Sequence, residues 1–229
     1  MKKLVVLTGA GISAESGIKT FRDHDGLWEN YRVEDVATYD AWLNNPSLVL
    51  DFYNQRRTEL GKVMPNQAHL DLAELEKNFD VHIITQNVDN LHERAGSSKV
   101  LHLHGELCKV RGEANENEIS EIGYTTLKIG DKCSQGSQLR PHIVWFGEAV
   151  PKMEDAVQII HKADIVAIIG TSMQVYPAAS LIHFAPAHAQ CFYIDPSAKS
   201  ISGVRNLSII AEKATVGVAK MKEMLTANM

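Results

Sequence analysis

A short apolar run that ends in a glycine turn, near the start of the chain, constrains the fold most. Residues 4–8 read LVVLT, and Gly9 and Gly11 follow at once. This pattern predicts a buried parallel strand and a tight turn that opens a helix. The glycines would let a pyrophosphate approach the backbone closely, and unpaired N–H groups at the helix start would serve as its donors. A second interpretation stays open, because Gly-x-Gly after a strand also occurs as an ordinary turn.

The segment after this turn departs from the usual dinucleotide-binding pattern. In a nicotinamide dehydrogenase, a second strand follows and ends in an acidic residue that binds the adenosine ribose. Here residues 17–28 read GIKTFRDHDGLW, which is polar and contains glycine, so no second strand is predicted. We therefore expect a loop to cover the dinucleotide.

Several short blocks follow one another along most of the chain. They read GAGIS at 9–13, SGI at 16–18, FR at 21–22, GLW at 26–28, TQNVDNLH at 85–92, HLHGE at 102–106, RPHIVWFGE at 140–148 and GTS at 170–172. In this order the blocks resemble the sirtuins, which are NAD-dependent protein-lysine deacylases. Together they are far more specific than any one of them. The resemblance implies NAD as cofactor and proteins with acylated lysine as substrates.

Composition is that of an ordinary globular protein. The chain has 229 residues, of which 45% are apolar and 22% charged, and it fits one α/β domain with an insertion. The N-terminal apolar run is too short for a signal peptide or a membrane span, so we expect a cytoplasmic protein. The three cysteines argue against a disulfide framework. A net charge of -5 disfavours nonspecific nucleic-acid binding. We also expect a monomer.

The predicted fold class is α/β, with a Rossmann-like parallel sheet domain and a second, smaller domain formed by two insertions. We assign residues 1–30, 80–106 and 140–229 to the first domain, and residues 31–79 and 107–139 to the second. Capping signals place one helix between residues 46 and 60 and another after residue 66. Further strands are predicted at 81–85, 164–170, 191–194 and 207–210, with a closing helix over 214–225.

Polar residues follow the predicted strands at the edge where an α/β sheet binds ligands. Asn87 and Asp89 follow the strand at 81–85, although Asp89 could equally cap the next helix. The resemblance assigns both to nicotinamide and NAD. It implies an NAD-binding set that consists of Gly9, Ala10, Gly11, Ile12, Ser13, Glu15, Ser16, Thr20, Phe21, Arg22, Trp28, Gln86, Asn87, Asp89, Gly170, Thr171, Ser172, Asp195 and Ala214.

Residues 100–105 read VLHLHG and predict a short strand with His102 and His104 on one face. An isolated histidine at a strand end is more often structural than catalytic. The resemblance assigns catalysis to His104 and Asn87. It implies that the acyl oxygen attacks the ribose carbon as nicotinamide leaves, and that His104 is the general base for a ribose hydroxyl. His102 keeps the structural interpretation.

The helix at 46–60 carries Tyr53 and Arg56, whose spacing directs both side chains to one face. That face also bears Val49 and Leu60, so its arginine must extend to water or pair with an anion. Tyr53-x-x-Arg56 is similar to a motif of sirtuins that remove malonyl and succinyl groups, which implies that the pair holds the acyl carboxylate. The resemblance implies a substrate site of Tyr53, Arg56, Val144, Phe146, Gly147, Glu148, Val175 and Tyr176, in which backbone groups bind the peptide as an added strand.

The second insertion lacks the metal ligands that the resemblance leads one to expect. Sirtuins usually carry two Cys-x-x-Cys pairs here, which hold a structural zinc. Gly112 and Asn115 align with the first pair, and Cys133 and Gly136 with the second. Because one thiol cannot form a tetrahedral thiolate site, we predict no structural zinc and assign no metal ligand.

Two other functions remain open. An NAD hydrolase or mono-ADP-ribosyltransferase would use the same cofactor pocket but needs no acyl site. A non-catalytic NAD-binding module would be expected if His104 or Asn87 were missing, and both are present.

Overall fold

A computed structural model describes residues 1–19, the backbone of residues 27 and 28, and residues 31–227. The strands are β1 Lys3–Thr8, β2 Leu27–Trp28, β3 Tyr31–Arg32, β4 Asp80–Thr85, β5 Val100–His102, β6 Gly105–Gly112, β7 Ile119–Glu121, β8 Leu139–Ile143, β9 Ile165–Ile169, β10 Gln190–Ile194 and β11 Leu207–Ile210. The α-helices are α1 Gly11–Ala14, α2 Val33–Val36, α3 Tyr39–Asn44, α4 Pro46–Leu60, α5 Gln67–Glu74, α6 Leu91–Ala95, α7 Met153–Ile160 and α8 Ala214–Thr226. Short 3-10 helices span Leu75–Lys77 and Ala178–Phe184.

The larger part of the molecule, here called the sheet region, is a parallel sheet with helices on both faces. Its strand order is β11-β10-β9-β1-β4-β5, and each neighbouring pair runs parallel. Leu4 and Val6 of β1 face a cluster with α5 and α8, whereas Val5 and Leu7 face a cluster with α7. Burial on both faces explains why β1 is continuously apolar. The predicted α/β fold class is confirmed.

The smaller part, here called the insert region, packs α2, α3 and α4 against an antiparallel sheet of order β7-β6-β8. Helix α4 begins and ends where the sequence predicts. The Asn45 side chain accepts the Leu48 N–H at 3.1 Å, Pro46 opens the helix, and Gly61 follows its last residue. Among the described residues, no helix combines the length and apolar character needed to cross a membrane.

Two segments lie on a different side of the predicted domain boundary. Helix α5 packs on the sheet through Ala68 and Leu72, although the sequence grouped it with the helical insertion.

Strand β6 begins at Gly105, so His104 lies in a bend and not in the predicted strand. Gly105 has φ +82°, and a Cβ there would come within 2.0 Å of the His142 carbonyl oxygen. The chain therefore leaves the sheet region at this glycine.

The inward face of α4 differs from the prediction in its arginine. Arg57 is fully buried, whereas Arg56 is half-buried. Arg57 donates from Nε to the Leu107 oxygen at 2.8 Å and from Nη1 to the Thr125 oxygen at 3.3 Å. Burial lowers the pKa of Arg57 to about 10. Arg57 thus ties α4 to β6 and to the segment after β7.

Candidate active site

The carboxyl ends of the central strands are joined by main-chain hydrogen bonds. The Gly9 N–H donates to the Ile169 oxygen at 3.0 Å, and the Gly11 N–H donates to the Gly170 oxygen at 2.8 Å. The Gly170 N–H donates in turn to the Ile194 oxygen at 2.9 Å. The turn after β1 is therefore fixed to the ends of β9 and β10, at the edge where parallel sheets bind ligands.

The turn after β1 has no room for side chains at its glycines. A Cβ at Gly11 would lie 2.7 Å from the Gly170 Cα, and a Cβ at Gly9 would lie 2.7 Å from the Thr171 Cβ. Backbone atoms cannot give way as a flexible side chain can. The glycines are therefore required for close packing between the turn and the end of β9.

The prediction of free N–H donors at the start of α1 is wrong for most of the turn. Backbone oxygens already accept the N–H groups of Gly9, Gly11, Ile12 and Ser13. Helix α1 has only 4 residues. Its start is closed by tight bonds from Ile12 to Gly9 and from Ser13 to Ala10, both 3.1 Å. Side chains must therefore supply most of the polarity of the site.

Three buried side chains form a chain of hydrogen bonds beside the turn. Asn87 Nδ2 donates to the Gly9 oxygen and to Ser13 Oγ, each at 3.2 Å, and Ser13 Oγ donates to Asp89 Oδ2 at 3.0 Å. Asp89 Oδ1 accepts the Leu91 N–H at 3.1 Å. Burial raises the pKa of Asp89, and the bonds from Leu91 and Ser13 oppose that rise. Asp89 therefore binds the first residue of α6 and joins the network beside the turn.

His104 lies beside this network, and its ring is in the tautomer that can accept a proton at Nε2. Its Nδ1 is 3.1 Å from the Gln86 carbonyl oxygen, which can only accept, so Nδ1 carries the proton. Nε2 of the neutral ring is then a free base. Burial lowers the pKa of His104, which keeps the ring neutral at neutral pH. The His104 carbonyl accepts the Val144 N–H at 2.9 Å, which brings the histidine next to residues 144–148.

His102, for which the sequence predicts a structural role, is hydrogen-bonded through both ring nitrogens. Its Nδ1 lies 2.9 Å from the Asn87 carbonyl oxygen, and its Nε2 lies 2.8 Å from Glu93 Oε1. Burial disfavours the charged ring, but the bond and charge of Glu93 and the bond to the Asn87 carbonyl together outweigh this and raise the pKa of His102. With both nitrogens committed, His102 fixes the backbone that carries Asn87.

Other predicted NAD contacts are either bonded elsewhere in the chain or not described. Glu15 accepts the Thr215 N–H at 3.0 Å and its hydroxyl at 2.9 Å, at the start of α8. Asn66 Nδ2 donates to Ser16 Oγ at 3.0 Å. The residues whose side chains lie outside the described part are Thr20, Phe21, Arg22 and Trp28.

A cavity of about 570 Å³ lies beyond the ends of β9 and β10. Ser172, Tyr193 and Ser197 are among the residues that line it. Asp195 is buried at the end of β10, and its Oδ1 accepts the Ser197 N–H at 2.9 Å. Ala214, the first residue of α8, is buried in the core of the sheet region. The volume of this cavity falls within the range of small-molecule sites.

The four positions that align with zinc ligands come together but do not fit the ion. A Cβ at Gly112 would lie 3.1 Å from Cys133 Sγ and 3.3 Å from the Asn115 oxygen. Cys133 Sγ is 3.1 Å from Ser137 Oγ, and Gly136 offers no side chain. In the described part of the chain, no three His, Cys, Asp or Glu side chains group to hold a metal. One thiol with a hydroxyl does not match the tetrahedral donor set of structural zinc.

An ion pair shapes residues 144–148. Arg140 Nη1 and Nη2 donate to the two Glu148 carboxylate oxygens at 2.9 and 3.1 Å. Glu148 Oε2 also accepts the Trp145 N–H at 2.8 Å. The Glu148 side chain therefore holds the segment in shape. Gly147 has φ +89°, and Phe146 before it is exposed.

Backbone groups on both sides of the predicted peptide site are partly used. The N–H groups of Val144, Phe146 and Glu148 already donate to oxygens of the chain. An added peptide strand would have to use the remaining backbone groups of this segment. Val175 and Tyr176, the other predicted peptide-binding residues, have exposed fractions of 38% and 74%.

Tyr53 and Arg56 lie about one turn apart on α4, and Arg56 lies beside residues that follow β4. The Tyr53 hydroxyl accepts the Trp145 Nε1–H at 3.0 Å. Burial raises the pKa of Tyr53 to about 12, and the positive charge of Arg56 is the largest opposing influence. Arg56 also lines a small cavity of about 30 Å³ with Val88 and Asp89.

The sequence analysis assigns no role to the side chains of Trp145 and Asn66, which contact predicted site residues. Trp145 belongs to the block at 140–148, but its partner Tyr53 is distant in sequence. Asn66 was read as a helix start, and it does accept the Ala68 N–H at 3.0 Å. It also donates to the Ile12 oxygen at 2.7 Å. No sequence signal distinguishes such an asparagine from an ordinary cap.

Comparisons with known proteins agree with this geometry. A model of the Sir2 family matches residues 9–177. The chain is 55% identical over 230 residues to the NAD-dependent protein deacylase of Bacteroides thetaiotaomicron, covering 98% of each. It is 57% identical over 214 residues to that of Helicobacter pylori strain 26695, covering 93% of each. A Sir2 homologue solved with NAD superposes with a TM-score of 0.88 at 40% identity, covering 99% of this chain and 90% of the other.

Proposed function

The chain belongs to the Sir2 family, and we propose that it is an NAD-dependent protein deacylase that removes succinyl, malonyl and acetyl groups from lysine side chains. The products would be nicotinamide, the free lysine and 2′-O-acyl-ADP-ribose. One Sir2 homologue of similar fold was solved with 2′-O-acetyl ADP ribose, at 38% identity and a TM-score of 0.88 over 99% of this chain and 93% of the other. Acylated proteins are the proposed substrates.

The residues around the turn after β1 would bind the cofactor and move one proton. Bound NAD supplies a ribose carbon bonded to nicotinamide and a ribose hydroxyl that takes up the acyl group. His104 would accept a proton at Nε2, since its Nδ1 is committed to the Gln86 oxygen. Asn87 and Asp89, held by Ser13, would orient the nicotinamide end. A neutral histidine suits this task near neutral pH.

Recognition of acidic acyl groups would fall to Tyr53 and Arg56. The observation that carries this proposal is that Arg56 lines a cavity with Val88 and Asp89, which directly follow the catalytic Asn87. Its charge also acts on the hydroxyl of Tyr53. A carboxylate between the two would gain a hydroxyl bond and a charge-assisted bond. The cavity, about 30 Å³, has room for about two water molecules, so side chains around it would move apart to admit the acyl group.

A single incubation tests the activity against its alternatives. The protein would be mixed with NAD and peptides of one sequence that carry acetyl-, malonyl- or succinyl-lysine. Mass spectrometry would follow nicotinamide and free peptide together. Release of both in equal amounts is expected. Nicotinamide released without acyl-lysine would favour an NAD hydrolase, and no turnover of any kind would favour a binding module.

Replacing Arg56 tests the acyl preference. Charge-assisted bonds contribute about 1.5–3 kcal/mol, so Arg56→Met should lower kcat/KM for succinyl-lysine at least about tenfold and spare acetyl-lysine. Arg56→Lys, which keeps the charge but loses the planar fork, should fall between. Arg32→Met removes the same charge from an exposed position and should change neither substrate.

Two outcomes of the Arg56 series would contradict this acyl preference. Equal losses on both substrates would show that Arg56 supports the fold or the cofactor. No loss on either substrate would favour the other interpretation, in which Arg56 extends to water or pairs with a nearby carboxylate.

A further inference from the structure

Trp145 is the inward-facing residue of the predicted peptide-binding segment. It is buried, whereas Phe146 after it is 48% exposed. The Arg140 guanidinium carbon lies 3.5 Å from the centroid of its ring. Its backbone N–H donates to Glu148, as described above. The indole is thus held in one orientation from two sides.

The hydrogen bond from this indole leaves the Tyr53 proton uncommitted. The Trp145 Nε1–H lies 3.0 Å from the Tyr53 hydroxyl oxygen. An indole N–H can only donate, so Tyr53 must be the acceptor and keeps its own proton for another partner. Among the residues that the structure describes, Trp145 is the one hydrogen-bond partner of that hydroxyl. Because burial raises the pKa of Tyr53 to about 12, the proton stays in place at neutral pH.

We propose that Trp145 is a positioning residue for acyl specificity, which directs the Tyr53 proton toward the carboxylate of a succinyl or malonyl group beside Arg56. This inference rests on the proposed function. A hydroxyl that accepts a hydrogen bond is also a stronger donor, so Trp145 both orients and strengthens Tyr53. Trp145 thereby links the segment that binds the peptide to the residue that reads its acyl group.

The chain offers a matched control in Trp42. Its ring lies 5.8 Å from that of Trp145, in the same buried aromatic cluster. Its Nε1–H donates to Glu113 Oε1 at 2.9 Å and so does not donate to the Tyr53 hydroxyl. Trp42→Phe and Trp145→Phe both shrink one ring of this cluster. Only the second removes the bond to Tyr53.

The measured quantity is the ratio of kcat/KM for succinyl-lysine to that for acetyl-lysine. Trp145→Phe should lower this ratio about threefold to tenfold, the effect of one neutral hydrogen bond. Trp42→Phe should leave it unchanged. In a Tyr53→Phe background, Trp145→Phe should lower the ratio no further, because the residue acts through the tyrosine. Effects that multiply in the double variant, or an unchanged ratio in Trp145→Phe, would overturn the inference.

A spectroscopic measurement covers the case in which Trp145→Phe does not fold. The tryptophan N–H hydrogen-bond band in ultraviolet resonance Raman should differ between wild type and Tyr53→Phe. In wild type it should shift when a succinyl peptide is added, but not with an acetyl peptide. Identical shifts with both peptides would overturn the inference. Wild type that turns over acetyl-lysine but not succinyl-lysine would overturn the proposed acyl preference as well, which separates the two failures.

Discussion

The sheet region and the insert region are held together in different ways. In the sheet region, strand ends and the turn after β1 are joined by main-chain bonds such as Gly9 to Ile169. In the insert region, side chains bind backbone oxygens, as Arg57 binds Leu107 and Thr125. The strand ends of the sheet region are therefore joined through backbone, while the insert region depends on side chains for its contacts. Removing one side chain should therefore lower the free energy of unfolding less in the sheet region than in the insert region.

The largest effect should come from replacing His104, which should lower activity and leave stability nearly unchanged. His104→Ala should lower kcat about a hundredfold to ten-thousandfold, the usual range for a general base. Stability should change little, because within the described residues the ring makes a single hydrogen bond, to the Gln86 oxygen. Steady-state kinetics and thermal unfolding of the same preparation check this.

His102→Ala is the control for the His104 variant. His102 binds both Asn87 and Glu93, so this variant should lose stability more clearly than His104→Ala. If His104→Ala kept most of its turnover, the assignment of the base would be wrong.

The second-largest effect should be a loss of stability when Arg57 of the insert region is replaced. Arg57→Met leaves the Leu107 and Thr125 carbonyls without this donor, and a buried unsatisfied acceptor costs about 1–3 kcal/mol. Relief of the buried charge offsets part of this, so we expect a net loss of about 2–3 kcal/mol in the free energy of unfolding. Urea unfolding gives the value.

Lys3→Met is the matched change in the sheet region. Lys3 binds Asp80 at 2.6 Å, but this pair is partly exposed, and its loss should cost under about 1 kcal/mol. Equal losses in Arg57→Met and Lys3→Met would remove the distinction between the two regions.

A pH titration should reveal a part of the sheet region in which stability depends on side chains. His69 and His92 are buried with ring centroids 4.9 Å apart, and His92 Nε2 lies 3.1 Å from Thr8 Oγ1 at the end of β1. Burial lowers the pKa of His69 from 6.5 to about 4, and that of His92 also falls. Between these values the unfolded chain binds more protons, so stability falls as pH falls.

From about pH 7.5 to about pH 5, His69 alone should reduce the free energy of unfolding by about 2 kcal/mol. His102, whose pKa is raised, acts in the opposite direction. His69→Gln should flatten the profile measured by urea unfolding at both pH values. A profile as steep as that of wild type would show that other groups cause it.

The smallest effect should be that of metal removal. The insert region holds the loop around Cys133 with hydrogen bonds, such as that from the Ser134 N–H to Glu118 Oε1 at 2.6 Å. We therefore expect elemental analysis to find no stoichiometric zinc, and a chelator to leave the melting temperature unchanged. One tightly held zinc per chain, or a chelator-induced drop in melting temperature, would contradict this.

What the sequence predicted well depends on local patterns. The run at 4–8 and the caps at Asn45 and Gly61 act within a few residues, and the structure has β1 and α4 where they predict. The buried arginine was placed one residue early, because adjacent helix positions differ by about 100° and the face of α4 depends on contacts from β6.

The features that sequence reasoning missed depend on distant partners. The Trp145–Tyr53 bond joins residues 92 apart in the chain. The loss of free donors in the turn depends on β9, whose end accepts the Gly9 and Gly11 N–H groups. No window of sequence contains both partners of these contacts.

The position of β1 sets the order in which the molecule can be completed during synthesis. β1 leaves the ribosome first, yet it lies between β4 and β9 in the sheet. Until residues 165–169 emerge, its second edge stays unpaired, and such an edge is a template for aggregation. The turn after β1 also lacks its acceptors at Ile169 and Gly170 until then. The turn after β1 therefore takes its final shape only after Ile169 and Gly170 have been synthesised.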